Sequence, residues 1–139
     1  EWQAFWVQAS ESPSGTMLWS MEALNWDDEV KSADFAEDGP YRVYVWEPNP
    51  GKAAAVYAAF TQAAKMHTAM GAKINIYQEG VGGNGKVHYV MSFDDWAAMA
   101  DFGDRISASE EFRFLQAASA GSATSIGSIQ GEPLYYTDR

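Results

Sequence analysis

The sequence contains no cysteine, only two histidines and few basic residues, and these absences exclude several kinds of chemistry. Without cysteine the chain forms no disulfide, has no thiol nucleophile and builds no Cys-ligated zinc site. Only His67 and His88 can offer an imidazole that exchanges a proton near neutral pH. No uninterrupted apolar run approaches the roughly 18 residues that a membrane-spanning helix requires, so we expect no membrane span.

Basic residues are scarce, because nine of them stand against 19 acidic residues and leave a formal net charge of −10. A surface this acidic repels phosphate backbones and anionic lipid headgroups, so we expect neither nucleic acid nor a membrane as a partner. The densest acidic stretch lacks the spacing and the glycine of a calcium-binding loop, which favours a solvated surface and predicts no metal site. That stretch comprises Asp27, Asp28, Glu29, Asp34, Glu37 and Asp38.

What the chain does contain is apolar and aromatic, with 47% hydrophobic and 14% aromatic residues among 139. This composition predicts a folded chain with a substantial core and little disorder. The chain begins with Glu1, as processing, trimming or a partial gene product would each produce. We expect a soluble protein, either cytoplasmic or exported after processing, and the composition does not choose between the two.

A helix over residues 50–70 is the clearest element. Asn49 suits the N-cap, Pro50 suits the first helical position, and Gly71 suits a left-handed stop. Its predicted buried stripe recurs at spacings of three and four and consists of Val56, Phe60, Ala63, His67 and Met70.

Strands are predicted on both sides of this helix, and both of their faces carry apolar residues. A sheet of this kind must be covered on both faces. A further helix begins near Asp94–Asp95, and Ser107 and Glu110 form a capping box that opens another. The predicted strands are 41–47, 73–79, 86–93 and 132–137, the last helix is 108–119, and 117–128 is a loop.

From residue 41 the order of elements is strand, helix, strand, strand, helix, strand, which is the α+β, ferredoxin-like βαββαβ pattern with an antiparallel sheet. Three features make 41–137 resemble the dimeric α/β-barrel superfamily: the Asn49-Pro50 helix start, the glycine hairpin, and the break before Ser109-Glu110-Glu111-Phe112. The resemblance implies a homodimer whose two sheets pack face to face, with the helices outside. We expect that interface to bury more than roughly 1,000 Å².

Residues 1–38 form a separate N-terminal extension in this reading, and 39–139 form the ferredoxin-like domain. Trp2, Phe5 and Trp6 recur at helical spacing, and 16–26 reads as a strand. Residues 1–28 also align without a gap on 111–138. The extension is therefore either the tail of a preceding repeat of the same domain or an extra helix and strand that cap it.

The glycines at 80, 82 and 85 match a dinucleotide-binding fingerprint literally, but a predicted strand follows them where the fingerprint requires a helix. We therefore interpret them as a hairpin loop. The two histidines remain as candidate catalytic residues. His67 lies near the C-terminal end of a helix, where the dipole favours a cation, although a structural histidine is the commoner case. His88 is predicted to point away from Tyr89, and a polar contact in a dimer interface is its commoner role.

Two functions follow from the resemblance. The first is binding or transformation of a small apolar or aromatic molecule in a cavity between sheet and helices, with a histidine as proton-transfer group, or as haem ligand if haem binds. The second is a non-catalytic module that self-associates through the sheet face and binds no ligand. The sequence identifies no cofactor. The residues expected to line the cavity are Arg42, Tyr44, Trp46, Asn75 and Tyr77, with His67 or His88.

Overall fold

The structure is a computed structural model that describes residues 20–24 and 39–132. Within these residues the chain is α+β, with a five-stranded sheet and three helices. None of these helices is long and apolar enough to cross a membrane. The elements are β1 (Met21–Ala23), β2 (Tyr41–Pro48), α1 (Ala53–Ala69), β3 (Lys73–Glu79), β4 (Val87–Ser92), α2 (Trp96–Ala108), α3 (Glu110–Ser119) and β5 (Ala123–Gly131).

The strands form one antiparallel sheet in the order β1-β3-β4-β2-β5. From β2 onward, this element order and sheet order are compatible with a ferredoxin-like fold, as the sequence predicts. β1 adds a strand at the β3 edge and falls inside the stretch predicted to be extended. The helix predicted around Trp2, Phe5 and Trp6 lies outside the described residues.

Cross-strand pairing sorts the side chains of the central strands onto two faces. Tyr44 of β2 lies opposite Tyr89 of β4, and this face is turned toward the helices. One residue further along, Val45 lies opposite His88, which also pairs with Tyr77 of β3. Because neighbouring residues in a strand point to opposite faces, these last three side chains lie on the side away from the cavity described below.

The start of α1 differs from the prediction. Lys52, not Asn49, occupies the N-cap position, and its side chain makes no capping hydrogen bond. The Asn49 side chain instead donates to the Gly121 carbonyl at 2.8 Å and accepts from the Thr124 hydroxyl at 3.0 Å. A turn closed by the Lys52 amide on the Asn49 carbonyl carries the chain into the helix, which leaves Asn49 free to bind the β5 end. At the other end Gly71 has φ +94°, which confirms the predicted left-handed stop.

The later helices also correct the prediction in detail. Asp95 caps α2 by accepting from the Ala98 amide, as expected for an acid at this end. The cap of α3 is Ser109, which accepts from the Phe112 amide, and not Ser107. Ser107 lies in the last turn of α2, where its hydroxyl donates to the Gly103 carbonyl.

The stretch predicted to be a loop, 117–128, overlaps the first six residues of the strand β5. Eight of the nine β5 residues pair with β2, from Tyr41 opposite Gly131 to Pro48 opposite Ala123, and the register shifts at Ile126. Glycine and serine are poor strand formers, but pairing with a neighbouring strand outweighs so weak a preference. The strand predicted at 132–137 is therefore misplaced at its start, since Glu132 follows β5, and its remaining residues lie outside the described part.

One cluster of buried apolar residues lies between the sheet and the helices. Phe93 and Val87 are fully buried there, and Met99, Phe102 and Leu115 bring α2 and α3 onto the same cluster. Burying apolar side chains of this size stabilises the fold by roughly 1.5–3 kcal/mol each.

Gly39→Ala should destabilise the protein, because a Cβ at this position would stand 1.7 Å from the Phe93 carbonyl oxygen. Backbone must move to relieve that clash, so we expect a loss of about 1–3 kcal/mol or more in urea unfolding. Gly103→Ala is the matched control, because its Cβ meets nothing within 4 Å and Gly103 lies in α2. The control should gain roughly 0.5–1 kcal/mol, and equal stability of both variants would contradict the prediction.

Candidate functional site

A cavity of about 690 Å³ lies between the sheet and the helices. Its wall is mostly aromatic and aliphatic, with a small number of polar groups. The sheet contributes side chains from β2 and β4, and all three helices contribute the opposite wall. The aromatic wall includes Trp46, Phe60, Tyr89, Phe93, Phe102 and Phe112.

His67 is the buried polar residue of this cavity, with 6% of its surface exposed. It sits on the α1 stripe, so helical periodicity places it against the sheet. Its Nδ1 lies 2.8 Å from the Tyr89 hydroxyl. The rings of Tyr89, Phe102 and Phe112 surround it at centroid distances of 5.6, 5.4 and 5.3 Å. Its Nε2 is buried and has no hydrogen-bond partner among the described residues.

Burial controls the protonation of this pair. It lowers the pKa of His67 from 6.5 to about 4, because the imidazolium would be removed from water. Burial also raises the pKa of Tyr89. The favourable helix-dipole position expected for a charged His67 is therefore outweighed. At neutral pH both groups are neutral and share one hydrogen bond.

Arg42 is the cationic residue of the cavity wall, and its partners are neutral. Its Nε donates to Gln130 Oε1 at 3.0 Å, and Nη2 points to the same oxygen. Its Nη1 donates to the Tyr44 hydroxyl at 3.3 Å. The pleat of β2 places Arg42, Tyr44 and Trp46 on the cavity side together, as the sequence-based set assumed.

The other predicted site residues do not join this group. Asn75, Tyr77 and His88 lie on the opposite face of the sheet, as the registers of β3 and β4 require. His88 Nε2 lies 3.0 Å from Glu79 Oε1. Partial burial opposes ionisation of Glu79, yet hydrogen bonds, that from His88 foremost, lower its pKa. One cavity therefore cannot contain both histidines, and His67 is the one that it contains.

Several residues that line the cavity are not among the site residues predicted from the sequence. Gln130 lies between the predicted loop 117–128 and the predicted strand 132–137, so the sequence does not predict its position in a strand beside Arg42. Phe112 and Leu115 were assigned to a helix without a stated face. A usable signal existed in α2, where Trp96, Met99 and Gly103 recur at helical spacing and all line the cavity. That spacing alone does not distinguish a cavity wall from packed core.

A haem in this cavity would be ligated by His67 through Nε2, because Nδ1 lies 2.8 Å from the Tyr89 hydroxyl. Within 20–24 and 39–132 no group of three or more His, Asp or Glu residues could hold a metal ion. The glycines at 80, 82 and 85 connect β3 to β4, which confirms the hairpin reading.

Comparisons of this chain with protein-family models, with curated proteins and with solved structures find no match.

His67 should titrate with a midpoint of about 4 when its ring proton shifts are followed by NMR. Because this lies below its ordinary value of 6.5, the unfolded chain binds the proton more strongly, and stability should fall as the pH drops from about 6.5 to about 4. His67→Phe keeps an aromatic ring without a titrating group. It should remove a pH-dependent part of about 3 kcal/mol from the unfolding free energy.

The variant His88→Gln assigns the two imidazole signals and should leave the midpoint of His67 in place. A His67 midpoint at or above the ordinary value would show that burial does not control this group.

Proposed function

We propose that the protein binds a small, largely apolar or aromatic molecule in the cavity between the sheet and the helices. The observation that carries this proposal is a cavity of about 690 Å³ whose apolar wall meets one buried histidine. Ligand sites are typically cavities of about 300–1,000 Å³ with apolar walls and a few polar groups that orient the ligand.

The polar groups support recognition more than proton transfer. A general base works best when its pKa lies near the working pH. With a pKa of about 4, His67 is a weak base at pH 7, where only about one molecule in a thousand carries the extra proton. We therefore assign His67 the role of a neutral hydrogen-bonding group.

Its Nε2 is the atom through which a ligand would gain this contact. An unsatisfied buried polar atom costs about 1–3 kcal/mol, and a polar atom of the ligand would remove that penalty. Of the rings around His67, Tyr89 and Phe102 are buried and Phe112 is half-buried, so Phe112 is the ring that can shift most easily. Phe102 is buried and forms a tilted contact with Phe93, so it is held more firmly.

The neutral fluorophore N-phenyl-1-naphthylamine should bind in this cavity with enhanced emission. Ala63→Phe puts a large ring into the wall and should weaken binding by at least about tenfold, which is about 1.4 kcal/mol. Ala58→Phe on the same helix is the control, because Ala58 is exposed and lies outside the cavity wall. It should change the affinity by less than about twofold.

Thermal melts establish that both variants fold. Gly103→Leu is a second blocking variant, because Gly103 lines the cavity and has open space at its Cβ. Equal binding by the wild type and both blocking variants would place the dye elsewhere and refute the cavity as the binding site.

We also propose self-association through the sheet face turned away from the cavity, as the resemblance implies. What favours it is Ile129, which is 61% exposed and lies opposite Val43 on that face. Met21 is 46% exposed and pairs with Glu79, also on that face. Exposed apolar side chains on a sheet face mark a surface that can bury area against a second copy.

Sedimentation at micromolar concentration should give a dimer for the wild type and a monomer for Ile129→Asp, which would bury a carboxylate in the interface. Val81→Asp is the control, because Val81 is 77% exposed in the hairpin loop. A wild type that sediments as a monomer would exclude this interface.

A further inference from the structure

Arg42 has donor groups that its protein partners do not use. A guanidinium carries five N–H donors, and the hydrogen bonds to Gln130 and Tyr44 engage three of them. Both partners are neutral, and none of the ion pairs among the described residues includes Arg42. The sequence contains 19 acidic residues, so carboxylates that could pair with an arginine are not scarce.

The position of Arg42 is informative because no carboxylate among residues 20–24 and 39–132 pairs with it. Arg42 is half-buried in the wall of the cavity, and its hydrogen bonds to Gln130 are exposed, so an added molecule can reach the guanidinium. A partly buried charge is destabilising unless it is paired. By contrast, Arg105 of the exposed α2 surface forms an ion pair with Asp101 at 2.6 Å.

We propose that the ligand of this cavity is an aromatic or other apolar monocarboxylate, whose carboxylate is bound by Arg42 and whose body lies against the aromatic wall. This inference rests on the proposed function of the cavity. Arginine is suited to the role because its planar fork matches the two oxygens of a carboxylate.

The distance between the polar groups sets the size of the ligand. Tyr44 follows Arg42 by two residues on the same face, which is roughly 7 Å along a strand. Tyr44 lies opposite Tyr89, whose hydroxyl contacts His67. A body of one or two fused rings is comparable in length to this separation along β2 and can lie against the aromatic wall.

The charges of the cavity wall also favour a ligand with one anionic group over a ligand with two. His67 is neutral at pH 7 because burial lowers its pKa to about 4, so this end of the cavity offers no second cation. A second carboxylate placed there would lose its hydration without gaining a counter-charge. The cavity thus favours a neutral polar group at the end remote from Arg42.

The test compares 2-naphthoate with 2-naphthalenemethanol, which share one ring system and differ in charge, as competitors of N-phenyl-1-naphthylamine. In the wild type the carboxylate should compete at least about tenfold more strongly than the alcohol. Arg42→Met should abolish this preference and change the affinity for the alcohol by less than about threefold. Arg105→Met is the matched control and should leave the preference intact.

Arg42→Lys keeps the charge and should retain only part of the preference, because an ammonium does not form the bidentate contact. It also keeps the test decisive if Arg42→Met fails to fold. Equal competition by the two compounds in the wild type, while Ala63→Phe still blocks the fluorophore, would overturn the role of Arg42 and leave the proposed cavity function standing. A wild-type protein that does not bind the fluorophore would overturn both the role of Arg42 and the proposed function of the cavity.

Discussion

The antiparallel register between β2 and β4 is the constraint on which the cavity depends. It places Tyr44 opposite Tyr89 on the side of the helices, and the alternation of the strand then brings Arg42 to the same side. A slip of one residue would turn Val43 and Val45 into the cavity and Arg42 out of it. The same parity explains why Asn75 and Tyr77 could not be assigned from sequence, since the face of β3 relative to β2 is set only by pairing.

Two opposing electrostatic effects set the protonation state of His67: the helix dipole favours the charged imidazolium, and burial disfavours it. A cation near a helix C-terminus gains about 0.3–1 kcal/mol, and up to about 2 in favourable cases. Lowering the pKa from 6.5 to about 4 corresponds to about 3 kcal/mol against the charged form. Burial among aromatic rings therefore outweighs the dipole, and the position of a histidine on a helix does not by itself predict its charge.

The elements that local chemistry specifies strongly were predictable from sequence. β2 and β3 are rich in β-branched and aromatic residues, α1 has a clear stripe, and the glycine hairpin is unambiguous. β5 was not predicted, because alanine, glycine and serine interrupt its β-branched residues Thr124, Ile126 and Ile129, and pairing with β2 holds the whole stretch extended. The same failure concealed Gln130, whose contact with Arg42 depends on that pairing. Arg42, Tyr44 and Trp46 line one cavity because they lie on one strand, whose pleat is predictable from sequence.

Three features that disfavour folding coincide at one place in the molecule. The cavity removes packing contacts that a close-packed core would supply. Among the described residues, the buried Nε2 of His67 has no hydrogen-bond partner and Arg42 has no carboxylate partner. Each could be relieved by a single substitution: a larger side chain at Ala63, an apolar residue in place of His67, or a shorter neutral residue in place of Arg42. Departures from local stability rules that concentrate at one site are typical of functional sites. The cavity wall has a cation, Arg42, and a neutral hydrogen-bonding group, His67, beside its apolar surface. The proposed ligand, with one carboxylate and a neutral polar group at its other end, follows from this difference between the two polar groups and not from the cavity alone.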